Sequence, residues 1–142
     1  MDSSEKYAKY TPLEHILKRP DSYVGSIEKV TSDTNWILSD DKSKMIQRPI
    51  EYIPALYKIF DEILVNAIDQ SVQDTTVDSI RVCINQEEGS ISIMNTGCGI
   101  PIEVHKVEKV YIPEMIFGEL LTSSNYDDTQ KRTVGGRNGY GA

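Results

Sequence analysis

No run of apolar residues in this 142-residue chain approaches the roughly 20 needed to cross a bilayer, so no membrane partner is expected. The opening MDSSEKYAKY is polar and mixed in charge, which excludes a signal peptide there. Cysteine is scarce. Cys83 and Cys98 stand without partners at metal-ligand spacing, a pattern that fits free thiols in a reduced intracellular compartment better than a disulfide. Positive charge is also short: 15 basic against 22 acidic residues leave a net charge of −7. Neutralising phosphates takes clustered lysine and arginine, so any DNA contact must lie mainly outside this chain. No basic localisation run and no internal repeat are present.

What is present is ordinary for a globular chain, 39% hydrophobic and 26% charged, and its length suits one domain or part of one. A complete domain of this size buries about 68–70% of its unfolded surface. Residues 1–10 read as a flexible arm. Thr11-Pro12-Leu13-Glu14 then reads as a helix start, with Thr11 as cap, Pro12 in the first turn and Glu14 closing a capping box. Arg19-Pro20 stops that helix, because the residue before proline is pushed out of helical geometry. His15, on this helix, has no nearby ligand partner and reads as structural or solvent-facing. Ser22–Ser26 is predicted extended or turning. Asn35–Leu38 and Met45–Ile53 are predicted strands around the polar turn 39–44, with Pro49 placing part of the second at an edge.

The best-defined helix is Pro54–Gln70. Leu56, Ile59, Phe60, Ile63, Leu64, Ala67 and Ile68 recur at three- and four-residue steps, which marks one buried face. Glu62, Asn66 and Asp69 keep the same spacing, so they form a polar stripe beside that face, and each is expected half-buried at a cleft wall. On its own such a stripe reads more readily as a solvated helix face, and only the later stretches reverse that. A polar linker, Gln73–Asp78, follows. Ile80–Ile84 and Ser90–Met94 alternate with period two around Gln86–Gly89, predicting a hairpin with one buried face. Cys83 falls on its polar side as a small packing residue. Pro113–Leu121 is predicted as a short helix, and from Thr122 the chain turns polar and glycine-rich.

Three stretches carry chemistry. Asn95-x-Gly97-x-Gly99 leaves a strand where backbone must come close to something flat, and the Asn95 amide, both donor and acceptor, suits a purine edge. Thr122-Ser123-Ser124-Asn125 offers hydroxyls and an amide in a row. Gly136-Arg137-Asn138-Gly139-Tyr140-Gly141 spaces glycines so that successive N–H groups can face an anion. It is not a Walker loop, since no Gly-Lys-Ser/Thr follows, nor a dinucleotide fingerprint, since no strand leads into it. Each stretch alone is also just a surface turn.

Taken together and in this order, Glu-x-x-x-Asn on a helix, Asn-x-Gly-x-Gly at a strand end and a distal glycine-rich loop resemble the Bergerat (GHKL) ATP-binding fold. That fold is shared by gyrase, histidine kinases, heat-shock chaperones and mismatch-repair ATPases. The blocks LEHILKRPDSYVGS (13–26), LYKIFDEILVNAIDQ (56–70), NTGCGIP (95–101), YIPEMIFGELLTSSNYDD (111–128) and GGRNGYGA (135–142) narrow it further. They resemble the N-terminal ATPase region of eukaryotic-type DNA topoisomerase II over nearly the whole chain.

The resemblance implies an α+β architecture over 11–142, a mixed sheet covered on one face by helices, expected to be truncated before completion. It implies ATP and Mg²⁺ as ligands. Glu62 would be the general base that polarises water, and Asn66 the Mg²⁺ ligand. Asn95, Gly97 and Gly99 would receive adenine, while Ser123, Ser124 and Asn125 would bind ribose and phosphate. Gly136, Arg137, Asn138, Gly139, Tyr140, Gly141 and Ala142 would wrap the triphosphate. Gln70 stands where the family usually has asparagine, and no role is assigned to it. In the family the glycine-rich loop runs on into a phosphate-contacting lysine, and a later domain supplies a second. The resemblance further implies a homodimeric, nuclear enzyme that passes one DNA duplex through another. Viral or organellar versions and a nucleotide-gated clamp or chaperone-type ATPase are the other readings of this fold.

Overall fold

The computed structural model describes residues 7–122 and residue 135. The chain forms two compact units, Met1–Lys58 and Ile59–Ala142. In the first, helix α1 (Pro12–Lys18) opens on the expected capping box. The Thr11 N–H donates to Glu14 Oε2 at 2.8 Å, and the Glu14 N–H donates back to Thr11 Oγ1 at 3.3 Å. The helix stops before Arg19, as the Arg-Pro step requires.

One expectation for this unit is narrowed and one needs correction. Of the two readings of 22–26, extended or turning, the turn holds, since Asp21–Val24 is a helical turn, α2. Pro20 has helical backbone angles (φ −59°, ψ −31°), and Asp21 accepts from Arg19 Nη2 at 3.0 Å, so the proline starts a turn as well as ending one. The segment 45–53 is not one strand. It breaks at Arg48-Pro49 into β3 (Met45–Gln47), which pairs antiparallel with β2 (Trp36–Leu38), and β4 (Ile50–Tyr52), which pairs antiparallel with β1 (Val30–Ser32). Proline has no N–H for the ladder, so the chain changes partner there. His15 is structural as expected: its Nδ1 lies 2.8 Å from the Tyr23 hydroxyl and the rings meet edge to face.

Helix α3 (Pro54–Gln73) begins at the expected proline and runs three residues past the expected end. In the second unit, β5 (Ile80–Asn85) and β6 (Ser90–Asn95) pair antiparallel in full register from Ile80↔Asn95 to Asn85↔Ser90. The Asn85 side chain closes the hairpin turn by accepting the N–H groups of Glu87 and Glu88. A lone bridge joins Val104 to Tyr111 ahead of α4 (Ile112–Gly118), which ends three residues earlier than expected.

The strand–helix content is α+β, with the described strands in three antiparallel pairs. The core is thin. Among the described residues only Ala55 and Ala67 are buried apolar side chains. The hairpin was expected to bury one face, but on that face Val82, Ile84 and Ile91 are exposed and Ile80 and Ile93 only half-buried. A two-stranded sheet has no layer of its own to cover its apolar side and needs further strands or a helix against it.

Candidate functional site

The site residues that can be placed lie in the second unit, on α3 and on the turn that leaves β6. The α3 stripe is graded, not uniformly half-buried: Glu62 is half-buried, Asn66 is exposed, and Asp69 is buried with 6% of its surface accessible. The cause is a contact 66 residues away in sequence. The Gly135 N–H donates to both Asp69 oxygens, at 2.8 Å to Oδ1 and 3.1 Å to Oδ2. A side chain at 135 would not fit, because its Cβ would stand 2.6 Å from Val65 Cγ1. Glycine is therefore what allows backbone to reach the helix at the start of the glycine-rich segment.

Asn95 ends β6, half-buried, with its Nδ2 donating to the Thr96 carbonyl oxygen at 2.9 Å. The following turn is held at two points. At the strand end, Thr96 Oγ1 donates to Asp78 Oδ1 at 2.6 Å and accepts from the N–H groups of Asp78 and Ser79 at 3.0 and 3.1 Å. At the far limb, the Cys98 N–H donates to Asp74 Oδ2 at 2.8 Å. Asp74 Oδ1 meanwhile accepts the Thr76 hydroxyl at 2.6 Å and the Thr76 N–H at 2.9 Å. These donors, the Thr76 hydroxyl first and then the Cys98 and Thr76 N–H groups, push the Asp74 carboxyl down to about 2. The Thr96 hydroxyl, then that of Ser79, likewise lowers Asp78. Between the two holds, Gly97 sits at φ 106°, where a Cβ would stand 2.6 Å from Val77 Cγ2 and 2.7 Å from Asp74 Oδ2. Gly99, at φ 68°, would meet nothing within 4 Å.

Asp74, Thr96 and Asp78 are therefore parts of this region that sequence reasoning missed, having read 73–78 as a linker. The Asp-x-Thr spacing signals a local side-chain turn. Nothing local signals that the other oxygen reaches Cys98. The remaining expected site residues, Ser123, Ser124, Asn125 and Gly136 to Ala142, lie outside the described residues. Among the described residues no group of three or more His, Cys, Asp or Glu could cage a metal. A single exposed amide oxygen, that of Asn66, does suit Mg²⁺, which keeps most of its shell as water and phosphate oxygen.

The sequence profile of the family described as histidine kinase-, DNA gyrase B- and HSP90-like ATPase matches residues 51–142. The chain belongs to this ATPase family. The match covers α3, the Asn95 turn and the segment from Gly135 onward, the regions that carry the candidate site residues. The ATPase region of Saccharomyces cerevisiae topoisomerase II superimposes with a TM-score of 0.91 at 55% identity, over 98% of this chain and 36% of that one. The ATPase and transducer domains of DNA topoisomerase II from Balamuthia mandrillaris give 0.93 at 51% identity, over 99% of this chain and 36% of that one. DNA topoisomerase 2 of Penicillium chrysogenum is 59% identical over 139 residues, which is 98% of this chain and 9% of that protein. The chain thus has the family's ATPase fold and spans about a tenth of the length of the curated relatives it matches.

Proposed function

We propose that this chain is the nucleotide-binding segment of an ATP-gated type II DNA topoisomerase. The supporting observation is the Asp69–Gly135 contact. It sets the first residue of the glycine-rich segment on the helix that carries Glu62 and Asn66, and a triphosphate held there would have both within reach. Asn95 takes adenine at the other end, with backbone at Gly97 and Gly99 close against the ring. Ser123, Ser124 and Asn125 take the ribose and phosphates, and Gly136 to Ala142 wrap the phosphate chain with backbone N–H groups.

Glu62 is the general base. Its half-buried carboxylate takes a proton from water as the water oxygen bonds to the γ-phosphorus and the bond to the bridging oxygen breaks, giving ADP and phosphate. Asn66 would hold Mg²⁺ through its amide oxygen, and the ion would supply neutralisation of phosphate charge there. Hydrolysis serves a gate: two copies close on nucleotide, exchange their N-terminal arms and reopen, while DNA is cut and passed by other parts of a nuclear homodimer.

Glu62→Ala in the full-length protein tests the assignment. Positioned proton abstraction is worth about 10²–10⁴-fold, so ATP turnover should fall by that factor while nucleotide binding is kept. Unchanged turnover overturns Glu62 as the base.

A further inference from the structure

We propose that Asp74 is a positioning residue for the nucleotide base, fastening the Asn95–Gly99 turn to the end of the helix that carries Glu62 and Asn66. The proposal rests on reading that turn as the base site. Asp74 is joined to α3 through its backbone, since its N–H donates to the Gln70 carbonyl oxygen at 2.8 Å and so extends the helical ladder by one residue. Its carboxylate is joined to the turn. Oδ2 takes the Cys98 N–H at 2.8 Å, and Oδ1 takes both Thr76 donors, which fixes the carboxylate plane. One residue therefore links the helix bearing the base and the metal ligand to the turn bearing Asn95.

The link has little slack. A Cβ on Gly97 would stand 2.7 Å from Asp74 Oδ2, so turn and carboxylate are already at close approach. The Thr96–Asp78 contact holds the strand end of the turn; at the far limb Asp74 holds the Cys98 N–H, with the Thr76 hydroxyl it also holds standing 3.8 Å from Cys98 Sγ. The carboxyl stays ionised at any pH near neutrality, so three donors always face an anion. A displacement of the order of 1 Å in a positioning group can cost about 100-fold in an enzyme, so slack at Cys98 would be felt at the base and not at the phosphates.

The test uses Asp74→Asn in the full-length protein. The amide can satisfy Thr76 or Cys98 but must turn its NH₂ toward the other donor. We expect the KM for ATP to rise about tenfold with kcat within about threefold of wild type, the pattern of lost binding that ground and transition states share. ADP binding should weaken by the same factor. Binding of inorganic tripolyphosphate, which has no base, should stay within about twofold of wild type, because the phosphate groups are held elsewhere. Loss of ADP and tripolyphosphate binding together marks a general structural role and overturns the proposal.

Asn95→Ala separates this proposal from the reading beneath it. If N95A leaves ADP affinity unchanged, the turn is not the base site and both fall. If N95A weakens ADP while D74N does not, the base site stands and the role of Asp74 is overturned. Should D74N fail to fold, Thr76→Val removes one donor and keeps the charge. It should give the same ADP-selective loss at about threefold, on the scale of one hydrogen bond, and its absence overturns the proposal.

Discussion

Asp74 shows how a carboxylate becomes structural without being buried in a core. Three donors converge on it, and they lower its pKa because they favour the charged form. The sign of the effect on stability follows. The folded value, about 2, lies below the ordinary carboxylate value of about 3.9. The stabilisation is therefore complete above about pH 4, where the unfolded chain is ionised too, and it is lost as pH falls through about 2. We expect the stability difference between wild type and D74N, measured by urea unfolding, to be constant from about pH 8 to 5. It should narrow on acidification below about pH 4. A difference that widens in acid would show that the carboxylate is not held in its charged form. Asp78 is lowered as well, but it is common to both proteins and drops out of the difference. At this scale the sequence revealed residue types and spacing. The 62, 66, 69 stripe was legible as a stripe. Its burial gradient was not, because Asp69 is covered by a residue 66 positions away. Asp74 was legible as a local turn former, while its bond to Cys98 spans 24 positions.

At the scale of elements, two glycines of one turn separate folding from binding. Gly97 has both a positive φ and neighbours at 2.6 and 2.7 Å, whereas Gly99 has a positive φ and open space. Gly97→Ala must shift Val77 or the Asp74 carboxylate, so it should destabilise by more than about 1 kcal/mol. Gly99→Ala carries only the backbone cost, about 1–2 kcal/mol and less than that of Gly97→Ala, yet on the proposed reading its methyl group would enter the space that the base takes. Its ADP affinity should drop at least about tenfold, as a misfit against a bound ring demands. Thermal melts and ADP titrations of the two variants check this. Equal ADP affinity in wild type and Gly99→Ala would remove Gly99 from the site. Elements set by local sequence were legible: the Thr11–Glu14 box three residues apart, the β5–β6 hairpin with pairs 5 to 15 apart, and the start of α3 at Pro54. The three-residue strands β1 to β4 were harder. They are too short for alternation to register, and β1 and β4 meet only because Pro49 ends one pairing and frees the next.

At the scale of the whole molecule, the apolar residues outnumber the places to bury them. Val82, Ile84, Ile91 and Met94 on the hairpin, and Phe117 and Leu121 at and beyond α4, remain exposed, against two buried alanines among the described residues. Fully covering a side chain of this size contributes about 1.5–3 kcal/mol. The four on the hairpin are 39–69% exposed, so covering the rest is worth about half of that each, about 3–6 kcal/mol together, a large share of the roughly 5–15 kcal/mol that separates folded from unfolded in a typical domain. Residues 1–142 on their own should therefore melt with low cooperativity and bind an apolar dye such as ANS. Their ATP affinity should be weak, because the Asn95 turn sits at the end of an uncovered hairpin. Hydrolysis should be negligible, since the lysines that the family resemblance places opposite Glu62 are not in these residues. A protein extended to the length of the solved topoisomerase II ATPase regions, of which this chain covers 36%, should lose the dye binding and gain a single sharp melt. It should also bind ATP at least about 100-fold more tightly, since ordering the site would no longer be charged against binding. Sharp melting and robust ATP turnover by residues 1–142 alone would show that the exposed hairpin needs no cover and that the site is complete without it.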